Sequence, residues 1–401
     1  MAQRLIPALR QLIATSSISS TRPEYDQGNR AVIDLLAGWL EDMGFVCEIL
    51  PLPYAPHKAN LIATLGKGAG GLVLSGHTDT VPCDESLWSQ DPWTLTERDN
   101  RFYGLGTCDM KSFLALAIEA ARGLKPEDMK QPLIILATAD EESSMAGARE
   151  LTRIQKPKAR YAVIGEPTGL TPLSMHKGIM MERITLTGKS GHSSNPALGR
   201  NAMDAMHKVM CELMLLREEW KTQYHNPGFT VPTPTLNLGC IHGGDNPNRI
   251  CGTCTLDFDV RMLPGMDSET IRHAIYQRIN PIASAAEVGF EFVPITQSIE
   301  SFFSHADSEL VKTCERLTGH ISTSAAFATE APFLSAMGMD TVVLGPGSID
   351  QAHQPDEFLT LDSLNPTLHL LRNLIQTFCL QDAPQEETQK APQKEAFNGQ
   401  H

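Results

Sequence analysis

Two patterns of apolar residues alternate along this chain. One is the three-and-four spacing of a helix face, and the other is the short continuous run of a strand buried on both sides. Leu5, Leu9, Leu12 and Ile13 predict a first helix, and Val32, Leu36, Trp39, Leu40 and Met43 a second over about 29–43. Runs at 46–50, 60–64 and 72–74 predict strands, the last bounded by Gly71 and Gly76. An apolar helix over 113–121 and strands at 133–137 and 161–164 continue the alternation, which predicts an α/β fold with a central sheet flanked by helices. The stretch 84–101 is polar and punctuated, as in a surface excursion. From 180 to about 289 the order becomes strand (181–186), helix (201–216), strands (around Leu236 and 253–260) and helix (268–279), which reads as a smaller α+β module inserted into the first domain. A run at 341–344 and an amphipathic helix carrying Leu368, Leu371, Leu374, Ile375 and Phe378 return the chain to that domain. The expected organisation is a main domain from 1–179 and 290–381, a module over 180–289, and a polar, aperiodic tail, 382–401, expected to be disordered.

Composition narrows the partners. The 401 residues carry a formal charge of −14, which argues against nucleic acid or an anionic membrane surface as the main partner. Residues 1–20 lack an apolar signal core, and no run is long enough to span a bilayer, so a soluble cytoplasmic protein is expected. Nine cysteines spread over this length predict reduced thiols. Cys251 and Cys254 form a C-x-x-C, but Cys254, Leu256, Phe258 and Val260 alternate with polar residues, so the pair is read as part of a half-buried strand.

The candidate chemistry collects at the ends of the apolar runs, where open α/β sheets build their sites. The run 72–74 leads to His77 and Asp79; a neutral histidine can ligate a metal while a neighbouring carboxylate takes its other ring N–H, although a polar pair can also simply cap a strand. Asp109 stands just ahead of a helix, where the dipole keeps it ionised and able to offer one oxygen to each of two cations, or to act as a plain N-cap. Asp140, Glu141 and Glu142 end the run 133–137 and would repel one another unless a cation were present or the turn were fully solvated. Glu166 follows the run 161–164, and His353 follows the run 341–344 and Gly345-Pro346-Gly347-Ser348, whose glycines let backbone amides approach an anion. His192 lies in a small-residue loop, as a functional or a surface histidine, and Arg261 is either a cross-strand ion pair or a fork for a carboxylate. Two histidines, one aspartate and two glutamates, with one glutamate to spare, are what a two-metal hydrolase requires. Their mixed N/O set suits Zn²⁺ or Co²⁺ better than Mg²⁺.

Several motifs in order then carry a resemblance: G-H-T-D-T-V-P (76–82), Y-G-L-G-T-C-D-M-K (103–111), A-D-E-E-S-S-M-A-G-A (139–148), G-E-P-T (165–168), H-K-G (176–178), S-G-H-S-S-N-P (190–196) and G-P-G-S-I-D-Q-A-H-Q-P-D-E (345–357). The chain resembles the dinuclear zinc aminoacylase and carboxypeptidase family from about residue 1 to 380. The segments 230–239, 242–245, 248–251 and 329–333 bring it closest to that family's bacterial amino-acid deacetylases. The resemblance implies that His77 and Glu166 bind one metal ion, Glu142 and His353 the other, and Asp109 bridges them. Glu141 would be the general base, with Asp79 orienting His77. The module would be a lid and dimerisation domain whose His192 reaches a partner subunit's site to stabilise an oxyanion. Arg261, Asn248, Lys177 and the amides of Gly345, Gly347 and Ser348 would hold a substrate carboxylate. Glu330 stands where the family commonly has aspartate, and either recognises a cationic substrate side chain or forms a structural ion pair. The implied reaction is hydrolysis of an N-acyl amino acid by a homodimer with two zinc or cobalt ions per subunit. Other acyl amino acids and a metal-bearing, non-catalytic binding protein are the alternatives; an aminopeptidase is disfavoured by Glu166, where such enzymes tend to carry aspartate.

Overall fold

In the computed structural model, which describes residues 2–68 and 70–381, the strands belong to three sheets. The predicted tail lies outside the described residues. Among them, the larger sheet has nine strands, eight of them in the order Val46–Leu52, Ala55–Leu65, Leu133–Thr138, Leu72–His77, Tyr161–Ile164, Asp340–Val343, Leu173–His176 and Phe302–Phe303, with Thr323–Ala325 also pairing Leu173–His176. The four strands from Leu133–Thr138 to Asp340–Val343 run parallel to one another, and the outer pairs are mainly antiparallel.

The continuous apolar runs are explained by burial on both faces. Leu72, Leu74, Leu133, Ile135, Ala137, Val163 and Val342 face a core built with the helices Ala2–Ala14, Arg30–Glu41, Lys111–Ala120 and Leu364–Ile375. Their neighbours Val73, Ile134, Leu136, Ala162, Ile164 and Val343 face a second core with Leu151, Ala331 and Leu334, from the helices Ala146–Ile154 and Ala331–Ala336. Side chains beyond the strand ends inherit this alternation. Gly76 faces Met110 and Leu114, and Gly165 lies under the Phe113 ring. A Cβ on Gly165 would stand 2.0 Å from a ring carbon. Gly165→Ala is therefore expected to destabilise the fold by about 1–3 kcal/mol or more through overpacking, measured as a lowered denaturation midpoint.

The smaller sheet is antiparallel, in the order Thr235–Gly243, Thr253–Met262, Gly178–Thr187 and Gly289–Pro294. Its strands alternate because one face alone carries helices. Met180, Ile184, Leu256, Phe258 and Val260 meet Ala202–Gln223 and Ser268–Ala285 in a separate core, which also takes Cys251 and Cys254. All nine cysteines are free thiols. Two crossings join this module to the main sheet, and they pair with each other through Ile179 and Ile299. The stretch read as a surface excursion contributes Thr96–Arg98 and Arg101–Tyr103 to a three-stranded sheet with Phe358–Thr360. No helix among the described residues is long and apolar enough to cross a membrane.

Candidate active site

The ends of adjacent parallel strands converge on one group of side chains. His77 closes Leu72–His77, Glu141 and Glu142 follow Leu133–Thr138, Glu166 follows Tyr161–Ile164, and Asp109 precedes Lys111–Ala120, the helix packed across these strands. His353 arrives on the longer loop after Asp340–Val343, with its backbone at φ +60°. Ligand atoms of His77, Asp109 and Glu142 lie within 4.8 Å of one another, a cluster able to hold a metal ion. The Asp109–Met110 peptide is cis.

Donor accounting shows what the cluster lacks. His77 Nδ1 lies 2.9 Å from the Asp79 carbonyl oxygen, so that nitrogen carries a proton and donates it. The backbone of Asp79, not its carboxylate, thus fixes the ring: Oδ1 is 3.8 Å away, while Oδ2 accepts from the Glu142 N–H at 3.0 Å. In the neutral tautomer, His77 Nε2 then presents a lone pair to Asp109 Oδ1 at 3.0 Å. The other Asp109 oxygen faces His353 Nε2 at 3.6 Å, and His353 Nε2 also lies 3.0 Å from Glu142 Oε2. Acceptors confront acceptors unless positive charge lies between them.

Electrostatics agree. Burial raises the pKa of Glu166 and Glu141 well above the carboxylate range; Asp109 adds most to this at Glu166, and Glu166 and Glu142 add to it at Glu141. Burial alone would lower His77, but its bond to Asp109 and the charges of Glu166, Asp109 and Glu141 hold it well above the histidine range, so without a cation the surplus negative charge draws a proton to the Nε2 that would otherwise face Asp109 as a lone pair. Glu166 Oε1 and Asp79 Oδ1 are buried with no hydrogen-bond partner among the described residues. Imidazole and carboxylate donors with unsatisfied buried oxygens and excess negative charge fit divalent cations of the zinc type.

Residues 73–377 match the sequence profile of peptidase family M20/M25/M40. The chain belongs to that family. It is 48% identical over 368 residues to an acetylornithine deacetylase of Vibrio campbellii, the match covering 92% of this chain and 97% of that one. It is 47% identical over 375 residues to an acetylornithine deacetylase of Proteus mirabilis, with 94% and 97% covered. A solved tripeptidase from Staphylococcus aureus shares the fold at a TM-score of 0.71 and 20% identity, covering 94% of this chain and 98% of that one.

In this M20 chain the acidic triplet is divided by partner. Asp140, at φ +66°, points away from the histidines and pairs with the buried Lys58, which also holds Asp26 at 2.8 Å. Ser19 at 2.5 Å, Ser143 at 3.0 Å and Ser144 donate to the same carboxylate. One acid of the triplet thereby has its cation, and the turn is set so that Glu142 reaches His353. Lys58 escaped the sequence reading because a lysine in a strand resembles a solvent-facing residue, and its partner is 82 positions away. Lys58→Met leaves Asp140 buried without its cation; a loss of about 3–5 kcal/mol of stability is expected, read by denaturant unfolding.

The remaining predicted residues are dispersed. A cleft of about 1240 Å³ is lined by Glu141, Glu142, His353, Arg149 and Arg261, the last paired with Asp259 at 3.1 Å. His192 and Asn248 do not line it; they stand exposed on adjacent loops of the smaller module, where Ser193 N–H donates to the Asn248 carbonyl. Lys177 is buried and donates to the Thr233 carbonyl at 2.6 Å. The Gly345 N–H is directed at Thr168 Oγ1, the Gly347 carbonyl accepts from Gly169, and Ser348 Oγ accepts from Asp350 N–H. Glu330 is buried and accepts from the Thr138 hydroxyl at 2.8 Å; burial pushes its pKa up to about 7. Its other oxygen has no partner among the described residues, so it is not held in an ion pair there.

Proposed function

We propose that this chain hydrolyses the N-acetyl amide of N²-acetyl-L-ornithine to L-ornithine and acetate, a step of arginine biosynthesis. The observation that carries this reading is Asp109, whose two oxygens face His77 and His353 separately, in a chain 48% identical to an acetylornithine deacetylase over 92% of its length. His77 with Glu166 and Glu142 with His353 would hold two divalent ions, zinc in preference and cobalt as a substitute, with Asp109 shared between them. Bound there, the ions supply Lewis acidity, which brings the pKa of water towards neutrality and polarises the acyl carbonyl.

The chain's own groups do the rest. Glu141, which lines the cleft beside Glu142 and His353, takes a proton from the attacking water and returns it to the departing α-amine. The Asp79 carbonyl keeps the His77 proton on Nδ1, leaving Nε2 for the ion. His192, supplied by a partner subunit, donates to the acyl oxygen as charge develops on it. Arg261, with Asn248, Lys177 and the amides of Gly345, Gly347 and Ser348, receives the α-carboxylate once the module closes over the cleft. Glu330, with one buried oxygen unpartnered, is the candidate acceptor for the substrate's cationic side chain.

A homodimer formed through the module is part of this reading. Among the described residues, Thr235–Gly243 pairs on one side only, and 239–243 are exposed along it. A cytoplasmic location is part of the same reading and rests on the likeness to acetylornithine deacetylases. Specificity is tested with a panel of N²-acetylornithine, succinyl-diaminopimelate, acetylmethionine and free-amine peptides. The highest kcat/KM is expected on acetylornithine. A higher value on another acyl amino acid would move the substrate, and preference for free-amine peptides would overturn the deacetylase reading.

A further inference from the structure

The loop that presents Asp109 is wrapped around a single buried carboxylate. Glu357 is 1% exposed. Its Oε1 accepts from the backbone N–H of Cys108 at 2.6 Å and of Asp109 itself at 2.9 Å, and its Oε2 from the N–H of Gly106 at 2.9 Å. Its backbone oxygen accepts from the Gly104 N–H at 3.1 Å and the Thr107 hydroxyl at 3.4 Å. Gly106, at φ +82°, is the turn that lets its own amide and those of Cys108 and Asp109 converge on one point. Burial pushes the carboxyl up, to about 8, while the N–H groups of Asp109, Gly106 and Cys108 pull against that rise. Both oxygens take donors, so the carboxylate is the form the contacts fit.

The connectivity gives this contact its meaning. Glu357 is four residues beyond His353, and Phe358, next to it, pairs with Tyr103 at the start of the Asp109 loop. The two loops that bring His353 and Asp109 together come from opposite ends of the main domain's sequence, and the Glu357 carboxylate is a polar clasp between them. We infer that Glu357 is a positioning residue: it fixes the Asp109 backbone against the His353 loop and so sets the spacing of the ligands on the His353 side of the site. This rests on the two-metal reading above. It goes beyond it in assigning the inter-ligand distance to a residue that touches neither substrate nor ion.

The test uses the full-length protein loaded with zinc, comparing Glu357→Gln and Glu357→Ala with the unaltered chain. Three readouts are taken: zinc retained per chain after dialysis against graded chelator, kcat and KM separately, and the melting temperature of each loaded protein. Glu357→Ala is expected to retain zinc about 10–100-fold more weakly and to lose kcat by a similar factor, with KM nearly unchanged. Glu357→Gln keeps the shape and one acceptor oxygen, and should fall between the two. If Glu357→Ala fails to fold, Glu357→Gln decides. A folded variant with unaltered zinc retention and kcat, or with only a lower melting temperature, would overturn the assignment. Zinc retention is measured without substrate, so inactivity of the unaltered chain on acetylornithine would count against the proposed reaction and not against the role of Glu357.

Discussion

Glu141→Gln is expected to lower kcat on acetylornithine by about 10²–10⁴-fold while the protein keeps both ions and its fold. The substitution preserves size and removes the group proposed to move a proton between water and the leaving amine. Glu141 lines the cleft, whereas the carboxylates of its neighbours are engaged, Asp140 with Lys58 and Glu142 with His353. Those engagements do not depend on the Glu141 side chain, so metal content measured by elemental analysis should stay at the unaltered level. Residual turnover within about tenfold of the original would assign proton transfer elsewhere.

Asp109→Ala is expected to remove metal from both positions together. Each of its oxygens faces a different histidine, and its own pKa is held below the usual value, against burial, chiefly by the bond to His77 and the charges of His77 and His353. Deleting it leaves His77 and His353 without the shared carboxylate. Zinc content should then fall below one ion per chain under dialysis that leaves the unaltered protein loaded, with activity falling in parallel. Glu166→Ala provides the contrast: it removes a donor from the His77 side alone, so one ion should persist. Equal zinc content in Asp109→Ala and the unaltered protein would contradict a bridging role.

Most of the candidate metal-binding residues were legible in the sequence because they stand where an apolar run stops. A strand buried on both faces needs no polar residue at its carboxyl end, so His77, Glu142 and Glu166 stood out against their own strands. The long helices were legible for the same reason, as with Val32, Leu36 and Leu40 on one face of Arg30–Glu41. Short elements were not: Leu173–His176 is four residues without a period, and Phe358–Thr360 finds its partner strand some 250 residues earlier. Lys58 and Glu357 were missed because their function is a long-range contact with no local pattern. Asp79 shows a finer limit. The sequence placed it beside His77, but spacing alone does not tell a carbonyl oxygen from a carboxylate, and the ring took the carbonyl.

The most direct test of the account measures ornithine released from N²-acetylornithine by the purified protein as prepared, after removal of metal by chelator, and after zinc is restored in steps. Activity should vanish with the metal and return with zinc, reaching its full value as the second ion per chain is bound. Hydrolysis that persists in metal-free protein, or no hydrolysis with both positions filled, would contradict it.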